Sequence, residues 1–468
     1  MPIDIDHPLR WKDANADEKS MLLDLQANIL KGHGRKHTAN LFLRFGSAAA
    51  GRSFLRALAP QVTSARQQLE ANEIFKSTGR SGGLVTLAFL TRAAYDILGV
   101  APAAIPPDAA FGAGMSSRRT KLGDPAATGW DKHLRGPIHA MLLLADDTVS
   151  LVKRARNALL SALPAGVTLL GEETGLGMAS KLSPGEGIEH FGYVDGRSQP
   201  LLLVEDIEHE RDDRDGISVW DPTFGLKTAL VADLAGKTAN SFGSYFVFRK
   251  LEQNVRGFKK AEDKLAKALG LKGDDAERAG AMIVGRFEDG TPVVIQSADG
   301  ANAPVLNNFD YLDDPTGAKC PFHGHIRKTN PRGESSALGA TIEQERAHLM
   351  ARRGITYGKR SKHPNSRNLS FADMPTKDVG LLFMAYQSDI GNQFEFTQAA
   401  WANNPNFVRP GTGIDPVIGQ GPAGGQNCPV QWGGGAATPR KAFDFRGFVT
   451  MKGGEYFFAP SISGLKSL

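Results

Sequence analysis

Cysteine is nearly absent from this sequence, with 2 residues in 468, Cys320 and Cys428. Two thiols allow at most one disulfide and exclude a four-cysteine zinc or iron–sulfur site within one chain. Because disulfides are rare in reducing compartments, this composition predicts a cytoplasmic protein.

Long apolar runs and a large net charge are missing as well. No stretch reaches the run of about 18 apolar residues that a transmembrane helix requires. Asp4 and Asp6 stand where a signal peptide would need a basic region. The net charge of +5 is too small for a nucleic-acid footprint, and the basic cluster at 359–363 is interpreted as solvated surface. Neither a membrane nor a nucleic acid is expected as a partner.

Glycine is abundant instead, with 53 residues, which is about 11% against a usual share of about 7%. This excess predicts long irregular loops. The length allows about two or three domains.

Short apolar runs of strand length recur in both halves, and helical spacing follows several of them. The predicted strands are 40–45, 84–90, 138–144, 244–248 and 380–386, and the predicted helices are 53–58, 92–98, 148–163 and 394–401. The alternation predicts an α+β fold with a weak internal duplication. The charged stretch 208–215 suggests domains of 1–220 and 221–468.

One segment, 319–332, could hold a metal, because His323 and His325 stand two positions apart beside Cys320. Zinc requires three or four protein ligands, and Cys428 is far away in the sequence. Haem iron needs only one histidine, because the porphyrin supplies four nitrogens. A basic surface loop remains an alternative interpretation.

Two further segments could carry chemistry. In Gly192-Tyr193-Val194-Asp195-Gly196, glycines bracket an acid, which is typical of a tight turn that presents one carboxylate. In 351–358, Arg352 and Arg353 stand in an extended stretch. An ordinary surface turn and a structural salt bridge are the alternatives.

These three segments, in this order, resemble the dye-decolorizing peroxidase family. The Gly-x-x-Asp-Gly motif is met at 192–196, the proximal histidine motif at 325–332 and the distal arginine motif at 352–354. Further similarity covers 28–35, 246–253, 413–416 and 454–461, so the resemblance extends over almost the whole chain. It is closest to the large bacterial and fungal branch.

The resemblance implies two ferredoxin-like domains, each an antiparallel sheet flanked by helices. One non-covalent haem b per chain would be held mainly by the second domain, and no Cys-x-x-Cys-His sequence is present for covalent attachment. The implied axial ligand is His325, with His323 as the less favoured alternative. The implied catalytic residues are Asp195 as acid–base and Arg352 as cation.

The resemblance also suggests residues around the haem. Asn330 and Arg332 would contact the propionates, and Gln199 would be a haem neighbour. A carboxylate behind the axial histidine would strengthen it as a donor, and Glu395, or else Asp389, is the predicted residue.

The implied function is a peroxidase that uses hydrogen peroxide to oxidise dyes and phenolic or other aromatic reductants through a ferryl intermediate. The protein is expected to be a monomer or homodimer. The first alternative is a haem-binding or haem iron-handling protein without peroxidase turnover. A zinc hydrolase built on His323 and His325 is the second.

Overall fold

The strands and helices below come from a computed structural model, which describes residues 3–300, 304–421 and 425–468. The strands are β1 (His37–Phe45), β2 (Val85–Leu90), β3 (Ala140–Asp146), β4 (Val167–Leu176), β5 (Met178–Ala179), β6 (Gly187–Ile188), β7 (Val194–Asp195), β8 (Val231–Ala232), β9 (Phe242–Gln253), β10 (Ala351–Arg352), β11 (Ile355–Tyr357), β12 (Gly380–Gln387), β13 (Gln426–Pro429), β14 (Arg440–Phe443) and β15 (Val449–Ala459).

Helices connect and flank these strands. The α-helices are α1 (Ala16–Asp24), α2 (Ala48–Leu58), α3 (Ala65–Thr78), α4 (Arg92–Leu98), α5 (Ala109–Ala113), α6 (Arg119–Leu122), α7 (Val149–Ser161), α8 (Val204–Asp213), α9 (Val255–Leu269), α10 (Glu277–Val284), α11 (His325–Thr329), α12 (Ile342–Arg346) and α13 (Ile462–Ser467). The predicted helix at 394–401 is instead part of two consecutive π-helical segments, Gly391–Glu395 and Thr397–Ala402. Within the described ranges, no helix combines the length and the apolar character that crossing a membrane requires.

The two halves of the chain build the same strand arrangement. In the first half the order is β4-β1-β3-β2, and in the second it is β11-β12-β9-β15. Numbered within each half, these orders are 4-1-3-2 and its reverse, 2-3-1-4, and every pairing is antiparallel. The predicted α+β fold and its duplication are confirmed.

The two four-stranded units are not separate sheets, however. β2 pairs with β15 through Leu90 and Phe458, and β4 pairs with β11 through Gly175 and Tyr357. These contacts close eight strands into one barrel. At each junction one residue pair joins the outer edges that the two units alone would leave unpaired.

Alternate side chains of the barrel strands enter two different cores. Phe89, Phe246 and Phe457 lie in the barrel interior, where the rings of Phe89 and Phe246 stack with centroids 4.2 Å apart. Residues on the other face, such as Leu142 and Val247, pack in a second core with helices including α2 and α4. Burial on both faces explains why these strands are nearly continuous apolar runs.

The outer face of β9 and β12 carries the main cavity of the protein. Leu381 and Phe383 line this cavity, whereas the intervening Leu382 points into the barrel interior. The barrel thus supplies a rigid floor, and loops from both halves of the chain build the remaining walls.

Candidate active site

The cavity is mostly apolar with a few polar side chains. Its apolar walls include Leu251, Val284, Ile326, Leu381, Phe383, Phe394, Val417, Ile418 and Val449. Its polar residues include Asp195, Gln199, Arg286, His325, Asn330, Arg332 and Arg352. Six of the seven site residues predicted from the sequence therefore share one cavity, and Glu395 is the exception.

A short hairpin presents Asp195 to the cavity. β6 pairs with β7, and the turn between them is closed by hydrogen bonds between Glu189 and Tyr193 and between Gly192 and Glu189. Gly192 has a φ of 107°, and a Cβ there would lie 3.2 Å from the carboxylate carbon of Glu288. This turn therefore requires glycine at position 192.

Arg352 lies beside Asp195 at the end of β10. Its Nη1 donates to Asp195 Oδ1 at 3.1 Å, and the backbone amide of Gly196 donates to the same oxygen at 2.7 Å. No described residue donates to Asp195 Oδ2. Both side chains of the pair are about one-third exposed, at 34% each. The carboxylate is thus held by one oxygen, and its other oxygen is free to exchange a proton.

His325 begins α11, and its ring is fixed by a buried carboxylate. Nδ1 donates to Asp415 Oδ2 at 2.8 Å, and Asp415 is fully buried. Asp415 Oδ1 accepts from the amides of Val417 and Ile418. This arrangement assigns the proton to Nδ1 and leaves Nε2, which no described residue contacts by hydrogen bond, as the unprotonated nitrogen.

The two charges of this pair shift each other's ionisation. Burial would lower the pKa of His325, but Asp415 raises it above its ordinary value. Burial would raise the pKa of Asp415, but His325 and the two amides keep it below its ordinary value. Asp415 is therefore ionised, and it increases the electron-donating strength of His325.

The other histidine of this segment has different surroundings. His323 is buried, and its Nε2 lies 3.6 Å from Cys428 Sγ. It is not among the residues that line the cavity. In the described ranges no cluster of three or more histidine, cysteine, aspartate or glutamate side chains could hold a metal ion, so nothing favours the zinc interpretation.

The prediction that Glu395 stands behind His325 is wrong. The Glu395 carboxylate is fully buried and accepts two hydrogen bonds from Arg118, at 2.8 and 2.6 Å, and one from Lys121 at 2.8 Å. Tyr456 Oη donates to it at 3.1 Å. Burial would raise the pKa of Glu395, but the two cations hold it below its ordinary value.

The alternative prediction, Asp389, is also wrong, because its Oδ1 accepts from the amide of Asn392 at the start of the π-helix. The sequence analysis missed Asp415, although the segment 413–416 belongs to the resemblance. Asp415 lies 90 positions from His325, a separation that no local pattern bridges. An acid between Gly413 and Pro416 in a glycine-rich stretch was the available signal.

Two buried guanidinium groups face the cavity without a carboxylate partner among the described residues. Arg332 donates to the carbonyl of Asn307, and Arg286 donates to the carbonyls of Gly290 and Leu306, all at 2.7 Å. Arg286 Nη2 is buried with no partner. Burial lowers the pKa of Arg332 to about 9 and that of Arg286 to about 10. The sequence analysis predicted Arg332 but missed Arg286.

Ser198 connects the remaining predicted residues. Its hydroxyl accepts from Asn330 Nδ2 at 3.3 Å and Arg332 Nη2 at 3.1 Å, and its carbonyl accepts from Arg352 Nη2 at 3.2 Å. Asn330 Oδ1 is buried and has no partner among the described residues. Gln199 Oε1 accepts from the amide of Arg352 at 3.0 Å, so Gln199 supports that arginine directly.

Comparison with known proteins extends these observations. A family model described as "DyP dimeric alpha+beta barrel domain" matches residues 24–175. The chain is 52% identical to the multifunctional dye peroxidase DyP2 of Amycolatopsis sp. over 474 aligned residues, which cover 100% of both chains. It is 32% identical to peroxidase 2 of Mycetinis scorodonius, covering 95% of this chain and 87% of that one.

Solved structures agree over the same extent. The structure of DyP2 from Amycolatopsis sp. has a TM-score of 0.95 at 51% identity and covers 100% of both chains. That of the DyP-type peroxidase of Anabaena sp. has a TM-score of 0.91 at 39% identity, covering 99% of this chain and 98% of the other. The fold, the cavity and these similarities together establish that the chain belongs to the dye-decolorizing peroxidase family.

Proposed function

We propose that this protein is a haem peroxidase that uses hydrogen peroxide to oxidise dyes and phenolic or other aromatic reductants. In this proposal His325 is the iron ligand, Asp195 the acid–base and Arg352 the distal cation. One observation carries it. The ion pair of Asp195 and Arg352 lines the same apolar cavity as a histidine whose Nε2 has no hydrogen-bond partner among the described residues.

The chemistry of the cavity walls fits haem. The apolar residues suit a porphyrin, and a neutral imidazole nitrogen is its usual protein ligand. Haem carries two carboxylates, and Arg286 and Arg332 are two cations that pair with no carboxylate in the part of the chain that the structure describes. Asn330 and Ser198 lie beside Arg332 and supply further polar groups at that end. Bound haem would supply the iron that holds peroxide and the two electrons that reduce it.

Asp195 would move the proton of the peroxide. Among the described residues none donates to its Oδ2, so Oδ2 would take the proton from the near oxygen of the peroxide and return it to the far oxygen. One positioned carboxylate can act first as base and then as acid. The two bonds to Oδ1 keep the carboxylate oriented during both transfers.

Arg352 would stabilise the negative charge on the departing oxygen. An arginine side chain acts as a fixed cation and needs no proton transfer of its own. The side-chain oxygen of Gln199 accepts from the backbone amide of Arg352, and the carbonyl of Ser198 accepts from its guanidinium, and both bonds hold the arginine in place. Asp415 would hold the His325 ring with Nε2 towards the cavity.

Three variants test these roles. His325→Ala should lose the absorption spectrum of a histidine-ligated haem, because it removes the imidazole that Asp415 orients in the cavity wall. Asp195→Asn and Arg352→Leu should keep that spectrum but slow the reaction with peroxide by about 100-fold or more, the usual contribution of acid–base catalysis. Asp13→Asn and Arg154→Leu, both exposed, are matched controls. A normal Soret band in His325→Ala would refute the ligand assignment.

The alternative of a haem-handling protein without turnover predicts a different result. Such a protein needs a ligand such as His325 but has no use for the ion pair of Asp195 and Arg352. Mixing the haem-loaded protein with peroxide in a stopped-flow spectrometer separates the two functions. Rapid spectral change that slows in Asp195→Asn supports the peroxidase, and an unchanged spectrum supports haem handling.

Three finer properties complete the proposal. Haem b, one per chain and not covalently attached, is favoured because neither cysteine lines the cavity. A pyridine haemochrome spectrum after acid extraction tests this assignment. A cytoplasmic location is favoured by the two free, buried thiols and is tested by cell fractionation. Light scattering distinguishes the proposed monomer from the homodimer.

A further inference from the structure

Glu189 lies in the cavity wall, and the proposed peroxide chemistry does not use it. It directly follows β6 and begins the turn that leads to β7 and Asp195. Burial raises the pKa of its carboxyl to about 7, and the negative charge of Asp195 adds to this shift. The cavity that holds Asp195 thus contains a second carboxyl group, whose charge changes near neutral pH.

The Glu189 carboxylate holds this turn together. Its Oε2 accepts from the amide of Phe191 at 2.7 Å, and its Oε1 accepts from the amide of Tyr193 at 3.1 Å. β6 and β7 contain only two residues each, and a hairpin this short is not stable by itself. The carboxylate therefore fixes the backbone that leads directly to Asp195.

A third hydrogen bond ties the turn to the floor of the cavity. Gln253, at the end of β9, donates from Nε2 to Glu189 Oε2 at 2.5 Å. The oxygen of the same side-chain amide is buried, and no described residue donates to it. A buried acceptor without a partner lowers stability. The glutamine is therefore better explained by its bond to Glu189 than by a contribution to the stability of the floor.

Other charged groups contact the turn from outside the cavity. Burial lowers the pKa of His190 to about 4, so its ring is neutral above that pH. Arg360 donates to the carbonyl of His190 and acts as a fixed cation. Lys259 pairs with Glu262 at 2.8 Å and with Glu288 at 2.6 Å. None of these five residues lines the cavity.

Glu277, on α10, titrates in the same range as Glu189. Burial raises its pKa to about 7 as well. Its Oε1 accepts from the amide of Glu288 at 3.1 Å, and its side chain does not line the cavity. An effect of pH that acts through the hairpin and the cavity should therefore depend on Glu189 and not on Glu277.

We propose that Glu189 is a positioning residue for the reaction with peroxide: its ionised carboxylate ties the hairpin to β9 and so holds Asp195 beside Arg352. Hydrogen bonds to an ionised group are roughly twice as strong as those between neutral groups. The tie is therefore strong when Glu189 is charged and weak when it is protonated. This inference rests on the proposed peroxidase function and adds a residue to it.

The sign of the resulting pH dependence follows from this tie. As the pH rises through about 7, Glu189 loses its proton, the hairpin is held more firmly and Asp195 is better positioned. The rate of the reaction with peroxide should therefore rise with pH. Because the rate of proton transfer depends steeply on the position of the base, we expect a rise of about tenfold.

Stopped-flow mixing of the haem-loaded protein with hydrogen peroxide between about pH 5.5 and 8.5 measures this rise. Glu189→Gln is neutral at every pH, so its rate should match the wild type within about twofold at the acid end and fall about tenfold below it at the alkaline end. Gln253→Leu removes one donor to the carboxylate and should move the rise to higher pH by about one unit. Glu277→Gln is the matched control and should keep the wild-type profile.

Hydrogen exchange followed by mass spectrometry supplies a readout that does not depend on turnover. At about pH 8, amides in the peptide that spans 187–196 should exchange about tenfold faster in Glu189→Gln than in the wild type. The reason is that the amides of Phe191 and Tyr193 lose their charged acceptor. Glu277→Gln should exchange in this peptide like the wild type.

A Glu189→Gln rate that is reduced by the same factor at every pH, or not at all, would overturn the inference, because a loss independent of pH is merely structural. Unchanged exchange in the hairpin of that variant would overturn it as well. In both cases the wild type still reacts with peroxide, and the proposed function stands. If the wild type itself does not react with peroxide, the proposed function fails and this inference fails with it.

Discussion

Asp415 and Glu395 offer a direct test of how the axial histidine is supported. Both carboxylates are fully buried, but only Asp415 contacts His325. We predict that Asp415→Asn raises the iron(III)/iron(II) reduction potential of the haem-loaded protein, because a negative charge behind the ligand stabilises the ferric state. Glu395→Gln removes an equally buried charge on a different network and should leave the potential unchanged.

The size of the shift follows from the hydrogen bond. A bond to a charged group contributes about 1.5–3 kcal/mol and a neutral one about 0.5–1.5 kcal/mol, so the substitution removes about 1 to 1.5 kcal/mol. That difference changes the equilibrium between the ferric and ferrous states about five- to tenfold, which is roughly 40 to 60 mV for one electron. Asparagine also offers one oxygen to the three donors His325, Val417 and Ile418, so a loss of about 1–3 kcal/mol of stability should accompany the shift.

Spectroelectrochemical titration of the wild type and the two variants measures the potentials, and thermal unfolding measures the stability. Both variants should be destabilised, since Glu395→Gln leaves Arg118 and Lys121 without their carboxylate. Only Asp415→Asn should move the potential. A shift in Glu395→Gln with none in Asp415→Asn would refute the assignment of the supporting carboxylate.

Three further predictions concern the cavity and the stability of the fold. Gly192→Ala should lower stability by about 1–3 kcal/mol in thermal unfolding and slow the reaction with peroxide, since φ is 107° and the new Cβ would lie only 3.2 Å from the Glu288 carboxylate carbon. Arg286→Met should speed haem transfer to apomyoglobin without destabilising the haem-free protein, because it removes a buried cation that pairs with no carboxylate in the described ranges. Burial lowers the pKa of His33 to about 4, and its Nδ1 accepts from the amide of Arg35. The unfolded protein takes up this proton near pH 6.5, but the folded protein does so only near pH 4. The free energy of unfolding is therefore not reduced by His33 above about pH 6.5, and it falls by on the order of 3 kcal/mol as the pH drops towards 4. Urea unfolding of His33→Gln between pH 4 and 7 should show a pH dependence smaller than that of the wild type by this amount, because His190 and His323, whose pKa values burial also lowers, keep their own contributions.

The sequence predicted the elements of the fold better than their assembly. Strands such as β12 and helices such as α4 follow from local apolar patterns, because those patterns reflect burial of one segment. Closure of the barrel depends on Gly175 meeting Tyr357 and on Leu90 meeting Phe458, which are contacts between distant segments. No periodicity of either segment encodes such a contact.

The same limit applies to the site. Asp195, Arg352 and His325 were predicted because each belongs to a short motif. Asp415 and Arg286 act on the cavity from separate segments, and nothing next to them in the sequence identifies their partners. Glu395 was misassigned because the sequence could not show that its carboxylate meets Arg118 while the adjacent Phe394 faces the cavity.

Because the barrel is closed by both halves of the chain, neither half is expected to be stable alone. Each half of the chain carries an open strand edge at both ends of its four-strand unit, and the other half covers both. A half produced alone would expose two such edges and the apolar interior between them, which favours aggregation. Each half therefore protects the exposed strand edges of the other. Cleavage of the chain between the halves should be tolerated only while both fragments stay paired.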